Sequence, residues 1–451
     1  MPEFAYLIDR LTAGAANAQL ALLYGPRPET VAMQAKRYVD LVQGLIATWP
    51  RLAPLGVPAC GVAYPPAGCG GDRHDNVRLF SAPGRTEVGG NHTDHNAGRV
   101  LAAAVDLDIA AAVRRNEDGV IRLKSEGYPA FTIRTSELAR IEDEHLTSAA
   151  LARGVCARMK QLGYEIGGFD AVVSGKVPKG SGLSSSAAFE VLIATILSAL
   201  YNDGAVRDIA IAQMSQYAEN VYFGKPCGLM DQTTSAVGGF VTIDFRDFAN
   251  PVVRRVSFDF AASGFTVVIV DTGGNHADLN DDYASLEHEM KSVARAFGGK
   301  VLREFSKQQV LQSIPYLRTA VNDRAILRAL HFYDDDRRVE EQVAALEDGR
   351  FDDFLDLVIE SGRSSWMLCQ NCYSSKDFAK QEISIALAVS ENILAGRGAW
   401  RVHGGGFAGT IQAFVPQDLL AGYVNAMQAI YGPHSCHELL VRPVGACELV
   451  L

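Results

Sequence analysis

The stretch Val177-Pro178-Lys179-Gly180-Ser181-Gly182-Leu183-Ser184-Ser185-Ser186-Ala187-Ala188 limits the fold of this chain more than any other. Val172 to Val177 before it alternates as a strand does, and the apolar run from Ala187 to Leu200 after it reads as a buried helix. The glycines and serines therefore form the turn between strand and helix. Gly180 and Gly182 let the main chain approach a ligand with no Cβ in the way. The unpaired N–H groups and positive dipole end of the following helix favour an anion such as phosphate. The hydroxyls of Ser181, Ser184, Ser185 and Ser186 can add hydrogen bonds or ligate a hard cation such as Mg²⁺. No Gly-Lys-Ser/Thr closes the turn, so it is not a Walker A loop, and a Gly/Ser linker or a plain helix cap has the same composition.

The pattern Pro-x-Gly-x-Gly-Leu-Ser-Ser-Ser-Ala resembles the phosphate loop of the GHMP small-molecule kinases. The resemblance implies that Gly180, Ser181, Gly182, Leu183, Ser184, Ser185 and Ser186 bind ATP, and it requires two further family motifs elsewhere in the chain.

Composition is consistent with this. A chain of 451 residues, 48% hydrophobic and 21% charged, can bury a large core and is expected to form two domains. A net charge of −10 and a pI near 5.5 argue against nucleic acid or an anionic membrane as partner, since both reward clustered Lys and Arg. No apolar run approaches the ~18 residues of a membrane span, and Met1 to Leu11 has no basic flank before an apolar core. A cytoplasmic protein is expected, with its eight scattered cysteines mostly free thiols. A Cys60–Cys69 disulfide is not expected in that compartment. Cys369, Cys372, Cys436 and His437 could in number ligate zinc, but the second pair lacks the usual spacing and buried thiols are the stronger expectation.

Residues 1 to about 50 read as helices, with Leu20, Leu23, Tyr38, Leu41 and Leu45 spaced by threes and fours. Residues 53–76 are rich in Gly and Pro and read as a loop. A strand then begins at Val77 and runs into a polar turn through Arg85, Glu87, Asn91, His92, Thr93, Asp94, His95 and Asn96. This segment resembles the galactokinase signature at Arg85, His92, Thr93, Asp94 and Asn96. Asn91 stands where the signature has glutamate, Glu87 where it has asparagine and His95 where it has tyrosine. A turn whose Asp and Asn side chains bond only local backbone is the alternative. The resemblance implies sugar contacts from Asn91, His92 and Asp94, with Asn91 a weaker reader of the sugar C6 hydroxyl than a carboxylate.

Alternation and turn residues predict strands through 100–135. Met214, Tyr217, Ala218 and Val221 share a predicted helical stripe that Gly224 and Pro226 end. A glutamate on such a helix is ordinarily solvated. The resemblance instead makes Glu219, with Ser186, the pair that holds Mg²⁺. The segment from Gly224 to Gln232 matches the galactokinase stretch that carries the catalytic aspartate, which implies that role for Asp231, with Arg85 as the fixed cation and Gly228 in the sugar pocket. Phosphoryl transfer asks a protein mainly for positioning and electrostatics, and one carboxylate with one cation suits that demand.

The strand Phe240 to Phe245 is expected to close the first domain, and Phe265 to Asp271 reads as a buried strand opening the second. Beyond it lie Asn275-His276 and Tyr283, which by the same resemblance lines the sugar pocket. Helices are predicted over 282–297, 320–332 and 354–368. The run from Gly398 to Ile411, with Gly404, Gly405 and Gly406, resembles the last GHMP motif, from which His403 and Ala408 depart.

The expected fold is therefore α+β, a two-domain GHMP kinase with its active site in the interdomain cleft. The expected segments are an extension over 1–76, a first domain over 77–250 and a second over 251–451. The expected function is ATP-dependent phosphorylation of galactose at C1, with ATP as co-substrate. Two alternatives are a kinase for a related sugar (arabinose or galacturonate) and a non-catalytic sensor of galactose and ATP. The intact Ser186, Asp231 and Arg85 favour an enzyme.

Overall fold

A computed structural model of the chain describes residues 2–50, 77–178, 182–274 and 279–451. The expected loop over 53–76 with Cys60 and Cys69, the phosphate-loop residues Gly180 and Ser181, and Asn275-His276 lie outside the described residues.

Three helices, Pro2–Thr12, Asn17–Tyr24 and Pro28–Thr48, open the chain. Twelve strands follow among the described residues: β1 (Arg78–Gly89), β2 (Arg99–Arg115), β3 (Val120–Ser125), β4 (Phe131–Arg134), β5 (Phe169–Gly175), β6 (Phe240–Asp244), β7 (Val252–Val256), β8 (Phe265–Asp271), β9 (Ala399–Val402), β10 (Thr410–Pro416), β11 (Cys436–Leu439) and β12 (Cys447–Leu449). One sheet runs β12-β1-β2-β5-β3-β4, with β6 and β7 continuing from the far half of β2. The second sheet is antiparallel, in the order β11-β8-β10-β9.

The long strand β2 organises the first sheet because its 17 residues are enough for two neighbours on one side. Its C-terminal part pairs with β5, and its first residues, Arg99 to Ala103, pair with β6. Alternate side chains then divide the layers. Ala110 and Ala112 face the N-terminal helices, where Leu20, Leu23, Tyr38, Leu41 and Leu45 are buried as their spacing predicts. Ala111 and Val113 face the opposite core with the helix Ser185–Tyr201, whose Val191, Leu192 and Ile196 are fully buried. The second sheet divides likewise, with Val267 and Ile269 in that same core and Val268 and Val270 packing under the helix Gln417–Tyr431.

The sheets cross residue 250: β7 pairs with β6, and β12 returns from the C-terminus to pair with β1. Hydrogen bonding along an open strand edge, not order in the chain, decides sheet membership. One expectation needs correction: the stripe through Val221 fails, since Val221 is exposed. The helix Asp208–Tyr217 passes into a π-turn over Ala218–Phe223, and the wider turn rotates Val221 off the buried face.

Candidate active site

Strand β1 is interrupted at Gly84, where its register against β2 shifts between Pro83 and Arg85. A Cβ on Gly84 would stand 2.8 Å from the Leu183 carbonyl oxygen, so glycine is what allows β1 to touch the phosphate-loop segment. The contact is sealed by the Arg85 backbone N–H, which donates to that same carbonyl at 3.1 Å. The Arg85 side chain then extends to Asp231. Its Nε and Nη2 donate to the two carboxylate oxygens at 2.7 Å each, in the fork geometry that suits guanidinium and carboxylate, while Nη1 donates to the Gly182 carbonyl.

Asp231 sits in the first turn of the short helix Met230–Val237 and also accepts from the Ser184 hydroxyl. Ser184 precedes the helix Ser185–Tyr201 in a left-handed conformation, φ 59°, which L-residues avoid. Such a conformation persists only where its surroundings hold it, and here the bond to Asp231 does so. Burial pushes the Asp231 carboxyl upward, but the Arg85 charge and the hydrogen bonds from Arg85 and Ser184 outweigh it and hold the group below the usual carboxylate range. Asp231 is therefore ionised at neutral pH.

At the second residue of the helix Ser185–Tyr201, the Ser186 hydroxyl donates to Glu219 Oε1 at 2.9 Å. Glu219 lies on the π-turn, is 2% exposed, and accepts from Gln232 Nε2 at 2.9 Å. Lys225 Nζ stands 3.8 Å away. Among the described residues no group of three or more His, Cys, Asp or Glu is arranged to hold a metal by itself. Cys369 and Cys372 are buried free thiols. Gln232 also donates to the buried Glu190, whose pKa burial and then the Glu219 charge push well above the usual carboxylate range.

The sugar-signature residues gather beside this cluster. A Cβ on Gly228 would stand 2.8 Å from Asp94 Oδ2, which ties together two of the predicted sugar-pocket residues. Burial raises the Asp94 pKa, and the Asp231 charge adds to the shift. His92, at φ 60°, makes a 3.0 Å hydrogen bond to the Gly405 carbonyl and stacks on His95. Burial lowers the pKa of both rings, leaving them neutral. The Tyr283 hydroxyl donates to the Gly406 carbonyl at 3.0 Å, and its ring meets Phe407 edge-on. The glycine turn thus bonds to His92 on one side and Tyr283 on the other, and His403 beside it would be 3.0 Å from a Cβ on Gly182.

Asn91 departs from the expected role as a sugar contact. It is fully buried, and both ends of its amide are engaged within the protein. Its Nδ2 donates to Glu87 Oε1 and to the Gly404 carbonyl, both at 2.8 Å, and its Oδ1 accepts from Asn371 at 2.9 Å and Ser365 at 3.2 Å. Its backbone N–H donates to Asp335 at 2.7 Å, and its carbonyl meets His331 at 2.9 Å. The substitution at position 87 explains this arrangement. Glu87 turns inward to the fully buried Arg401 at 2.9 Å, and the neighbour of such a carboxylate must donate, which an amide can do and a second carboxylate cannot.

Sequence reasoning gave no role to His331, Asp335, Asn371 or Arg401: the first three lie far along the chain outside any motif, and Arg401 stands in the Gly398 to Ile411 run without having been singled out. The joint change at Glu87 and Asn91 was the one available signal.

Comparisons with known proteins bear on the family and the fold. Residues 150–239 match the model of the GHMP kinase N-terminal domain, and residues 71–115 match the galactokinase galactose-binding signature. A galactokinase of Streptomyces coelicolor is 34% identical over 337 residues, covering 74% of this chain and 83% of that protein. Among solved structures, Lactococcus lactis galactokinase complexed with galactose superposes with a TM-score of 0.70 at 24% identity, over 83% of this chain and 95% of that one. Methanococcus jannaschii mevalonate kinase gives 0.56 at 14% identity, over 80% and 98%. The two structural likenesses carry the fold, and the sequence likeness carries the family. The chain is a member of the galactokinase family of GHMP kinases.

Proposed function

We propose that this protein transfers the terminal phosphoryl group of ATP to the C1 hydroxyl of galactose, releasing galactose 1-phosphate and ADP. The observation that carries the reading is the forked Arg85–Asp231 pair set against Ser184 at the start of the phosphate-loop helix. It puts one fixed carboxylate and one fixed cation where a sugar hydroxyl and a phosphoryl group can meet. In the reaction a new bond forms from the sugar O1 to phosphorus, the bond to the ADP oxygen breaks, and the hydroxyl proton passes to Asp231. A carboxylate held below its usual range is a weak base, so Asp231 works first by orienting the hydroxyl and takes the proton late. Arg85 offsets charge on the transferring group.

Ser186 and Glu219 present two hard oxygen donors side by side, and Glu219 is only distantly neutralised by Lys225. That donor set suits Mg²⁺, with phosphate and water oxygens completing its coordination. When bound, the ion neutralises phosphate charge. Gly182, Leu183, Ser184, Ser185 and Ser186 are assigned to ATP, and His92, Asp94, Gly228 and Tyr283 to the sugar. With a free sugar and ATP as substrates, the protein is placed in the cytoplasm with no nucleic-acid or membrane partner.

The burial of Asn91 favours one second reading. With its amide engaged internally, position 91 offers nothing to a C6 hydroxyl, and a sugar without C6 (arabinose) or with a C6 carboxylate (galacturonate) meets less discrimination. ADP release across a panel of monosaccharides tests both readings. Galactose is expected to give the highest kcat/KM. A higher value for arabinose or galacturonate replaces galactose as substrate, and no release with any sugar makes the protein a sensor.

A further inference from the structure

The N-terminal helices meet the catalytic sheet through a buried polar node that the reaction does not use. At its centre is Asp108 on β2, fully buried. Its carboxylate accepts from Arg37 Nη1 at 2.6 Å, from the Tyr24 hydroxyl at 2.6 Å and from the Ser81 hydroxyl, with Arg442 Nη1 at 3.7 Å. Burial raises its pKa, but Arg37, Arg442 and these hydrogen bonds reverse the shift and keep it charged.

The position of Asp108 gives the node its meaning. In the β1–β2 ladder Asp108 pairs with Pro83, one residue before the bulge that aims Arg85 at Asp231. Its own carbonyl accepts from the Lys176 backbone N–H at 2.8 Å, just beyond the end of β5. Arg37 bridges to the same place. Its Nη2 donates to the Ser174 carbonyl at 2.6 Å and its Nε to the Ser174 hydroxyl at 3.3 Å. One guanidinium on an N-terminal helix therefore ties the end of β5, which leads directly into the phosphate loop, to the strand opposite Arg85.

We propose that Arg37 is a positioning residue for nucleotide binding, and that the N-terminal helices brace the phosphate loop by holding the end of β5 against Asp108. The proposal rests on the assignment of that loop to ATP. Arg37 touches neither substrate nor the reacting atoms. Its removal leaves Asp108 with the Tyr24 and Ser81 hydroxyls and the more distant Arg442 charge, so the node loses stability as well as the clamp on Ser174.

Calorimetric titration of ATP and, separately, of galactose into the full-length wild type, Arg37→Met and Arg37→Lys tests this, with circular dichroism as a check on folding. Met keeps the length and apolar stem of Arg without donors, and Lys restores the charge on a single ammonium without the guanidinium fork. Arg37→Met is expected to weaken ATP about tenfold and galactose less than twofold, with Arg37→Lys recovering part of the ATP affinity. Equal weakening of both ligands, or unchanged ATP affinity, overturns the proposal, the former making Arg37 a general anchor. If Arg37→Met does not fold, Arg37→Gln, whose short amide cannot bridge both Asp108 and Ser174, takes its place: a selective ATP loss of several fold supports the brace, and wild-type ATP affinity overturns it. A wild type that binds no ATP removes the loop assignment itself, a distinct failure.

Discussion

Arg85 and Asn91 stand six positions apart in one signature segment, yet the structure uses them in opposite ways. Arg85 reaches toward a partly open cluster, where the side chain of Asp231 keeps 27% of its exposure and can meet a substrate. Asn91 faces inward and is spent on a sealed network with Glu87, Arg401, Asn371 and Asp335. A motif residue paired with a partly open carboxylate is therefore the one proposed for chemistry, and one whose every polar direction is taken is the one proposed for the fold. Substitutions should separate the two sites cleanly, one losing turnover and the other losing stability.

The largest effect is expected from Asp231→Ala and Arg85→Ala. Each should lower kcat/KM by about a thousandfold, because transition-state charge loses a preorganised partner. Melting temperature should move little. Near wild-type turnover in either purified variant would remove that residue from the chemistry.

Asn91→Asp should show the reverse. It changes almost no volume but sets a second carboxylate against Glu87 Oε1 and the Gly404 carbonyl, where the amide now donates. An uncompensated buried charge costs about 3–5 kcal/mol, to be read in denaturant unfolding. If the variant unfolds like wild type and only its sugar preference changes, Asn91 reads the sugar after all.

A smaller and more selective change is expected at the proposed metal pair. Ser186→Ala should raise the Mg²⁺ and ATP concentrations needed for half-maximal rate several-fold while leaving galactose KM within twofold. An unchanged Mg²⁺ dependence would reassign Ser186 to ordinary helix capping.

The smallest effect concerns acid. Asp231 has a folded pKa held below its unfolded value, so its contribution to stability is complete above the unfolded carboxylate range near pH 4 and is lost as pH falls through the lower folded value. Partial exposure screens the pair, and about 1 kcal/mol is a reasonable ceiling. Unfolding curves of wild type and Asp231→Asn should differ by a constant amount from pH 5 to 8 and converge below pH 4. A difference that grows on acidification would contradict the ion pair.

The parts of this molecule that could be read from the chain are those written in local backbone chemistry. Glycines beside serines, followed by an apolar helix, mark a turn suited to an anion because φ/ψ freedom, N–H orientation and helix dipole act within a few residues. The helical spacing of Leu20, Tyr38, Leu41 and Leu45 likewise marked a buried face before any partner was known. What those faces meet was not local. The N-terminal helices give Tyr24 and Arg37 to a carboxylate on β2, and β12 returns from the C-terminus to pair with β1. The network around Asn91 draws on residues 240 to 313 positions away. Hydrogen-bond satisfaction of a buried group depends on which distant donors the folded chain delivers, and no local pattern carries that information. The sequence by itself determined the family, the phosphate turn and the identity of Arg85 and Asp231 as partners of opposite charge. Only the tertiary structure decided that Asn91 belongs to the interior, because burial and the inward turn of Glu87 leave its amide no other direction.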